Sequence, residues 1–535
     1  MLTMGVCEPA SRALWPHEFQ YLQRHNFVSS DESKFGSNGG TVKNDQSRPT
    51  VKNEQWSIDR FLRVRNDEVL TQADTDLKDV ESGVEAHLKL KPHQHADVTM
   101  RVGREMGITV VQPRHGDTLI AIQIAAMQSL EEAGADILST VTDPYTRQLE
   151  FANAAKALEE SERVGRSMVS GYPVVAMGVE RTKEIVASVS KPCSVRMASK
   201  DSRLAKEIYL AAGYTYMFMG PVQNLAYEKW ATPEALIQNY QYDDRLIAYY
   251  GELGAPVVKE FPATLTGTLV PPCIAVASSL LDAMLAVTQG VKHIVVNYGM
   301  LGNLVQDVAA MRVLRTLANE KLTQLGDDLE IYLAVPQWMG DFPHDDPQAY
   351  AVILNGAFNA AMGEADEVIT KSLDEAFGVP SKQSNAAGVR TTRQMLGLLK
   401  GQRLEDSPEL EEEIDDIRLS VNAILDAVVR LGEGDVAVGT AAAIRGGIID
   451  VPFSPNLCNA SRAMPIRDLN GAVRWLDPGD VPVPDSVRLR HKHLVGRRLK
   501  TRPEKSPLNL VTEDITGFSK GLSVDRSTPR EHAAR

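Results

Sequence analysis

From Gly107 onward the sequence repeats one unit, a short β-branched run followed by a longer apolar run with helical spacing. The strand-like runs fall at 107–112, 135–141, 192–197, 214–219, 255–260, 292–298, 329–335 and 366–370. Helical runs at 118–133, 146–164, 201–212, 233–253, 273–289, 303–324 and 346–363 lie between them. Strand alternating with helix is the pattern of a parallel sheet covered by helices. Eight such units in about 265 residues have the size and rhythm of a (β/α)8 TIM barrel. The rival architecture is a doubly wound open sheet, but no GxGxxG follows any strand-like run. Residues 173–179 are a ninth strand candidate, weakened by Gly171 and Pro173. Thr232-Pro233 and Asp201-Ser202 mark helix starts.

The first unit delivers chemistry. Its uncharged run ends at Pro113, which is expected to stop the ladder, and Arg114 and Gly116 follow. Arg114 thus sits at the carboxyl end of a strand, where ligands bind in such folds.

Outside the repeat the pattern changes. Residues 1–55 are polar and aperiodic and read as a mobile extension. Residues 56–106 read as a helical lead-in covering one end of the barrel, which occupies 107–380. Residues 381–535 read as a C-terminal lobe, with a long helix at 407–431 and a loop-rich stretch at 434–485. The basic run 488–493 reads as a solvated face.

A net charge of −13 argues against a nucleic-acid partner, though not against a small anion gripped by local arginines. No apolar run approaching the ~18 residues of a membrane span stands out, so no membrane role is expected. The N-terminus carries no secretory pattern. Cys7, Cys193, Cys273 and Cys458 form no CxxC or Cys/His spacing, so a reduced, cytoplasmic setting without a metal site is expected.

The charged residues just past the strands are Arg114, Asp143 and Arg147, Arg196, Lys259 and Glu260, then Lys371 and Glu375. On a barrel all of these are expected to converge on one rim. Three arginines with few carboxylates beside them would make a positive cup suited to a small dicarboxylate, because guanidinium groups grip carboxylates bidentately. The plainer reading pairs Arg147 with Asp143 or Glu150, and Lys371 with Glu375 across one helical turn.

Several separate motifs then agree in order and spacing with one family. Gln112-Pro113-Arg114-His115-Gly116, Asp143-Pro144-Tyr145-Thr146-Arg147-Gln148, Leu265-Thr266-Gly267-Thr268-Leu269-Val270-Pro271-Pro272, Gln337-Trp338-Met339-Gly340-Asp341-Phe342-Pro343 and Ser384-Asn385-Ala386-Ala387-Gly388 together resemble the large (epsilon) chain of glutamate mutase, also called methylaspartate mutase. The resemblance runs from about Trp56 to about residue 520. It implies a (β/α)8 barrel working with adenosylcobalamin in a reversible radical shift between L-glutamate and threo-3-methylaspartate. It also implies a small flavodoxin-like partner that carries the cobalamin on an Asp-x-His-x-x-Gly motif, and a homodimer of the large chain within a heterotetramer. This sequence has no such motif. By the resemblance, Arg114, Arg147 and Arg196 take the substrate carboxylates, and Lys371 and Glu375 contact the adenosyl ribose. Gly116, Phe342 and Val379 give backbone and packing contacts to the cofactor, and Ser170 stands where the family has a cobalamin-contacting asparagine.

The stretch 214–228 departs from the family. Where the family places a glutamate for the substrate ammonium, followed by two tyrosines, this chain has Phe218, then Asn224, then Glu228, or Tyr227 with a one-residue slip. The carboxylate grip is kept and the amine grip is not. That leaves a rival substrate without an α-amino group, such as 2-oxoglutarate. A catalytically silent binding barrel is a second alternative. A metal-dependent aldolase-like barrel is a third, weakened by the lack of a His/Asp/Glu ligand cluster at the strand ends.

Overall fold

The structure is a computed structural model describing residues 51–521, so most of the expected N-terminal extension and the last residues of the chain lie outside the described residues. Nine parallel strands form the central sheet: β1 Val110–Gln112, β2 Arg114–His115, β3 Leu138–Val141, β4 Cys193–Arg196, β5 Tyr216–Phe218, β6 Val258–Phe261, β7 His293–Asn297, β8 Glu330–Pro336 and β9 Glu367–Ile369. From β2 to β9 each strand pairs with the next in sequence, and β1 pairs with β9 through Val110–Glu367, Val111–Val368 and Gln112–Ile369. β2 pairs with β3 through Arg114–Ser139 and His115–Thr140. β1 and β2 are therefore two halves of one barrel strand, and the sheet closes on itself through Pro113. As expected, Pro113 stops the ladder with β9, whose last bond runs from Thr370 N to the Gln112 carbonyl at 2.9 Å, but the chain runs on and Arg114–His115 pair with β3 instead.

All eight expected strands are present, and the seven expected helical runs are helical, except that the 146–164 run is broken at Leu149 (φ 63°) into Pro144–Arg147 and Phe151–Val164. Residues 173–179 are not a ninth strand. Pro173 starts the helix Val174–Ser188, which is broken at Gly178 (φ 73°). The Asp76 carboxylate spans the break and accepts from Val179 N at 2.7 Å and Glu180 N at 3.0 Å. A short apolar run bounded by glycine and proline reads alike as a strand or as the start of a buried helix. The eighth helix of the outer ring, Lys382–Leu398, follows β9 and packs against the helices Asp346–Met362 and Ile120–Glu132.

The lead-in closes the N-terminal end of the barrel. Ala96 and Met100 of the helix Ala96–Glu105 pack against Val110, Ile137, Tyr216, Val258, Val295, Tyr332 and Ile369. The carboxyl end is left as the open mouth.

The C-terminal lobe is more regular than its composition implies. The stretch 434–485 contains the helix Val436–Gly446 and an antiparallel hairpin, β10 Met464–Arg467 with β11 Val473–Asp477. The basic run lies on the helix Asp485–Thr501 and is only partly solvated. His491 is buried, accepting from Trp475 N at 3.2 Å, and Arg490 pairs with Asp416, Glu412 and Glu413. One cluster of buried residues runs from Val51 to Val511, so lobe and barrel share a core. One helix, Pro272–Gln289, does reach the length and apolarity of a membrane span, which corrects the sequence reading. It is 89% buried against the barrel and its neighbours, which accounts for its composition.

Candidate functional site at the barrel mouth

The arginines expected to form a cup come from adjacent strand ends: Arg114 from β2, Arg147 from the one-turn helix Pro144–Arg147 after β3, and Arg196 from β4. Asp143 caps that short helix, accepting from Thr146 N at 3.0 Å, and so fixes where Arg147 projects.

Arg196 is buried inside the barrel, with Nη1 2.7 Å from Glu260 Oε2 and Nε 3.0 Å from Gln112 Oε1. Its Nη2 also donates to Gln112 Oε1. The same Gln112 oxygen accepts from Ser139 Oγ at 2.6 Å and Ser194 Oγ at 3.0 Å. A guanidinium has five N–H donors. Three are used here, leaving one on each Nη for a further acceptor. The Phe218 ring lies beneath the same group, 4.5 Å from Cζ to the ring centroid.

The expectation of few carboxylates is corrected. Glu260 and Glu367 both lie fully buried inside the barrel, joined through the Tyr216 hydroxyl at 3.0 and 2.6 Å. Burial, and then the neighbouring Glu260, push the Glu367 carboxyl well above its ordinary range. Lys259 does not join the rim either. Neighbouring strand residues face opposite ways, so Lys259 points outward to Asp244 on the helix Pro233–Glu252, at 2.7 Å, while Glu260 points inward.

Arg147 is half-buried and its Nε has no hydrogen-bond partner. Desolvation lowers its pKa, while Asp143 and Glu228 act to raise it. Glu150 bonds to Asn153 rather than to Arg147. Burial raises the Glu228 pKa, against the pull of Lys200 and Arg147. Asn224 is fully buried, and its Nδ2 donates to the Ser199 carbonyl at 2.5 Å, leaving Oδ1 unpartnered. Ser199 Oγ donates in turn to the Arg147 carbonyl at 2.7 Å.

Arg114 faces Lys371, Glu375 and Tyr227, whose titrations it influences. Tyr227 Oη sits 3.4 Å from Thr264 Oγ1, and the residue as a whole is exposed. Lys371 Nζ and Glu375 Oε2 are 2.5 Å apart across one turn, as the plainer sequence reading has it. Desolvation lowers the Lys371 pKa, and Lys371 and Arg114 hold that of Glu375 down. The motif glycine Gly388 seats this pair, since a Cβ there would overlap the Lys371 carbonyl oxygen. Asn385 of the same motif donates to the Arg114 carbonyl at 2.8 Å.

Gly116 lacks a side chain where a Cβ would strike Val141 and Gly171, which lets the loop bearing Ser170 lie across the end of β3. Ser170 is exposed at the rim. Phe342, in the loop after β8, is buried with Trp338 of that loop and Met300 of the loop after β7, whereas Val379 is 52% exposed after β9. With Met168, Tyr227, Trp230 and Phe377, Val379 makes an exposed apolar fringe on the loops at the carboxyl ends of the strands.

Sequence reasoning missed Gln112, Tyr216 and Glu367 as parts of the site. Gln112 stands in a quoted motif, and the inward parity it shares with Arg114 on the same barrel strand was the available signal.

A family model described as Methylaspartate mutase E chain (MutE) matches residues 90–527. The chain is 42% identical over 480 residues to the glutamate mutase epsilon subunit of Desulfitobacterium hafniense (strain Y51), covering 89% of this chain and 99% of that one. It is 37% identical over 479 residues to the epsilon subunit of Yersinia enterocolitica, again covering 89% and 99%. Among solved structures, the alpha subunit of tryptophan synthase from Legionella pneumophila aligns at a TM-score of 0.34 and 12% identity, covering 56% of this chain and 98% of that one.

Proposed function

This chain belongs to the methylaspartate mutase E chain family, and on that premise we propose that it is the large subunit of an adenosylcobalamin-dependent mutase interconverting L-glutamate and threo-3-methylaspartate. The observation that carries the reading is the set of three arginines on adjacent strand ends, with the Lys371–Glu375 pair beside Arg114. Arg147 Nε and the two remaining Arg196 N–H groups are donors suited to substrate carboxylates. The residues at the mouth fit the cofactor. A carboxylate and an ammonium side by side suit sugar hydroxyls, and the exposed apolar fringe suits a broad, flat group.

Adenosylcobalamin, when bound, supplies the radical chemistry of the carbon-skeleton shift. The chain's own residues do the holding. Arg114, Arg147 and Arg196 fix the substrate's ends, Phe218 walls the interior, and Lys371 and Glu375 meet the adenosyl sugar. Gly116, Phe342 and Val379 support the cofactor face, with Ser170 at its edge. The closed N-terminal end leaves the mouth as the route for water, so a second chain seated there would seal the site.

That chain is a small flavodoxin-like cobalamin carrier, in a cytoplasmic heterotetramer around a homodimer of the large chain. The absence of Asp-x-His-x-x-Gly from this sequence supports the need for it. The test is reconstitution. The purified chain should bind adenosylcobalamin weakly and turn over nothing, and the small chain should restore both. Tight cobalamin binding by the isolated chain sinks the proposal.

A second reading has a specific observation behind it. Glu260 is committed to Arg196, Tyr216 and Asn297, and Glu375 to Lys371, while Glu228 faces Arg147 and Lys200. With Phe218 in place, an ammonium entering the barrel meets no uncommitted acid among these. A dicarboxylate lacking the α-amino group, such as 2-oxoglutarate, avoids that cost.

A further inference from the structure

The hydrogen bonds around Arg196 determine where one buried proton sits. A guanidinium donates and never accepts, so the Gln112 atom facing Arg196 is its carbonyl oxygen and its amide nitrogen faces Glu367 Oε1. Glu367 Oε1 is thereby an acceptor. Glu260 accepts from Asn297 Nδ2 on Oε1, at 2.7 Å, and from Arg196 Nη1 on Oε2. Both Glu260 oxygens are acceptors, which makes it the ionised member. Tyr216 Oη contacts Glu260 Oε2 and Glu367 Oε2, but a phenol has one hydrogen. It goes to Glu260, so the contact with Glu367 requires a proton on Glu367 Oε2. The circuit then runs from neutral Glu367 through Tyr216 to ionised Glu260, then to Arg196 and back through Gln112.

We propose that Glu367, Tyr216 and Glu260 are positioning residues that hold one proton beneath Arg196 and keep its two remaining N–H groups and its charge available to a substrate carboxylate. This rests on the reading of Arg196 as a substrate arginine. Loss of the proton to solvent leaves two carboxylates sharing one phenolic hydrogen and one guanidinium. The added negative charge opposes an incoming dianion. The titratable or charged groups facing Glu367 are Glu260 on β6, Arg196 on β4 and Tyr216 on β5. Burial, and then the neighbouring Glu260, hold its carboxyl well above the ordinary carboxylate range.

The test is calorimetric binding of glutarate, which has no titrating group between pH 6 and 9, to the full chain. Affinity should fall as pH rises from 7 to 9, by up to tenfold for a one-unit coupling. Glu367→Gln donates where the acid did, so it should keep the pH 7 affinity within about twofold and abolish the slope. A slope that survives in Glu367→Gln, or a flat wild-type profile, overturns the circuit. Glutarate affinity unmoved by Arg196→Lys, or no glutarate binding at all, overturns the underlying reading of the arginine instead. Should Glu367→Gln fail to fold, infrared spectra decide, taken on the Asp282→Asn chain because Asp282, on the helix Pro272–Gln289, is also raised by burial, to about 8. A protonated-carboxyl band present at pH 7 and lost by pH 9 is expected, and its absence at pH 7 overturns the proposal.

Discussion

Phe218 on β5 and Glu260 on β6 are register partners, and their side chains flank one guanidinium. Arg196 lies with Cζ 4.5 Å from the Phe218 ring centroid and Nη1 2.7 Å from Glu260 Oε2. The ring covers the cation on one side and the carboxylate accepts one of its N–H groups on the other. Neither gives a docking substrate a free negative charge.

The first prediction follows from that pairing. An unpaired ammonium in a closed barrel costs several kcal/mol even after relaxation, and a phenyl face returns only ~0.5–2 kcal/mol. This tests the second reading: on it, kcat/KM in the reconstituted complex should favour 2-oxoglutarate over L-glutamate, and Phe218→Glu should shift the preference toward L-glutamate. A wild type that strongly prefers L-glutamate defeats the idea and assigns the ammonium to another acid, with Glu228 and Glu260 the first to try.

Arg147 carries the second. Its Nε is buried without a partner, an orphan donor that a bound carboxylate would satisfy. Arg147→Lys keeps the charge but loses the fork, at a cost of roughly 1.5–3 kcal/mol in dicarboxylate binding, with circular dichroism unchanged. Binding that does not move would make Arg147 a partner of Asp143 and Glu228 alone.

Gly388 gives a prediction through the backbone. A methyl there meets the Lys371 carbonyl and must push the helix Lys382–Leu398 away from the end of β9. Overpacking of this kind costs about 1–3 kcal/mol. Gly388→Ala should lower the melting temperature and raise KM for adenosylcobalamin, because the Lys371–Glu375 pair shifts with the strand end. A melting loss with an unchanged cofactor KM would limit the glycine to packing.

The barrel was legible because its strands are short and its helices long, so the change of period marks each unit even where ends differ by two or three residues. Strand parity was present in the sequence but not applied: Lys259 and Glu260 are neighbours that had to face opposite ways, yet both were expected on the rim. The circuit from Gln112 to Glu367 was not legible. Those residues lie 255 apart in sequence, and their contact depends on how the tilted strands close through Pro113. The inward turn of His491 was hidden for a similar reason. A basic run looks solvated until the β10–β11 hairpin and Asp416 are seen against it.

Asp282 yields the last prediction. It sits on the helix Pro272–Gln289, fully buried, and accepts from Val222 N at 2.8 Å and Gln223 N at 3.2 Å. These bonds hold the turn from Gly220 toward Asn224, where an added Cβ on Gly220 would strike the Asp282 carboxyl. Burial is the largest influence and raises the carboxyl to about 8, against the two backbone donors. The folded state therefore binds this proton more tightly than the unfolded chain. The resulting stability is complete below the ordinary carboxylate range and is lost as pH rises through about 8. Asp282→Asn removes that dependence but sets an amide donor against Gln223 N, at a cost of about 1 kcal/mol. In urea melts the variant should be less stable than wild type at pH 3, below the ordinary carboxylate range, and the gap should close and reverse as pH rises toward 9. Parallel curves across that range would mean that Asp282 stays ionised and that its two backbone donors outweigh its burial.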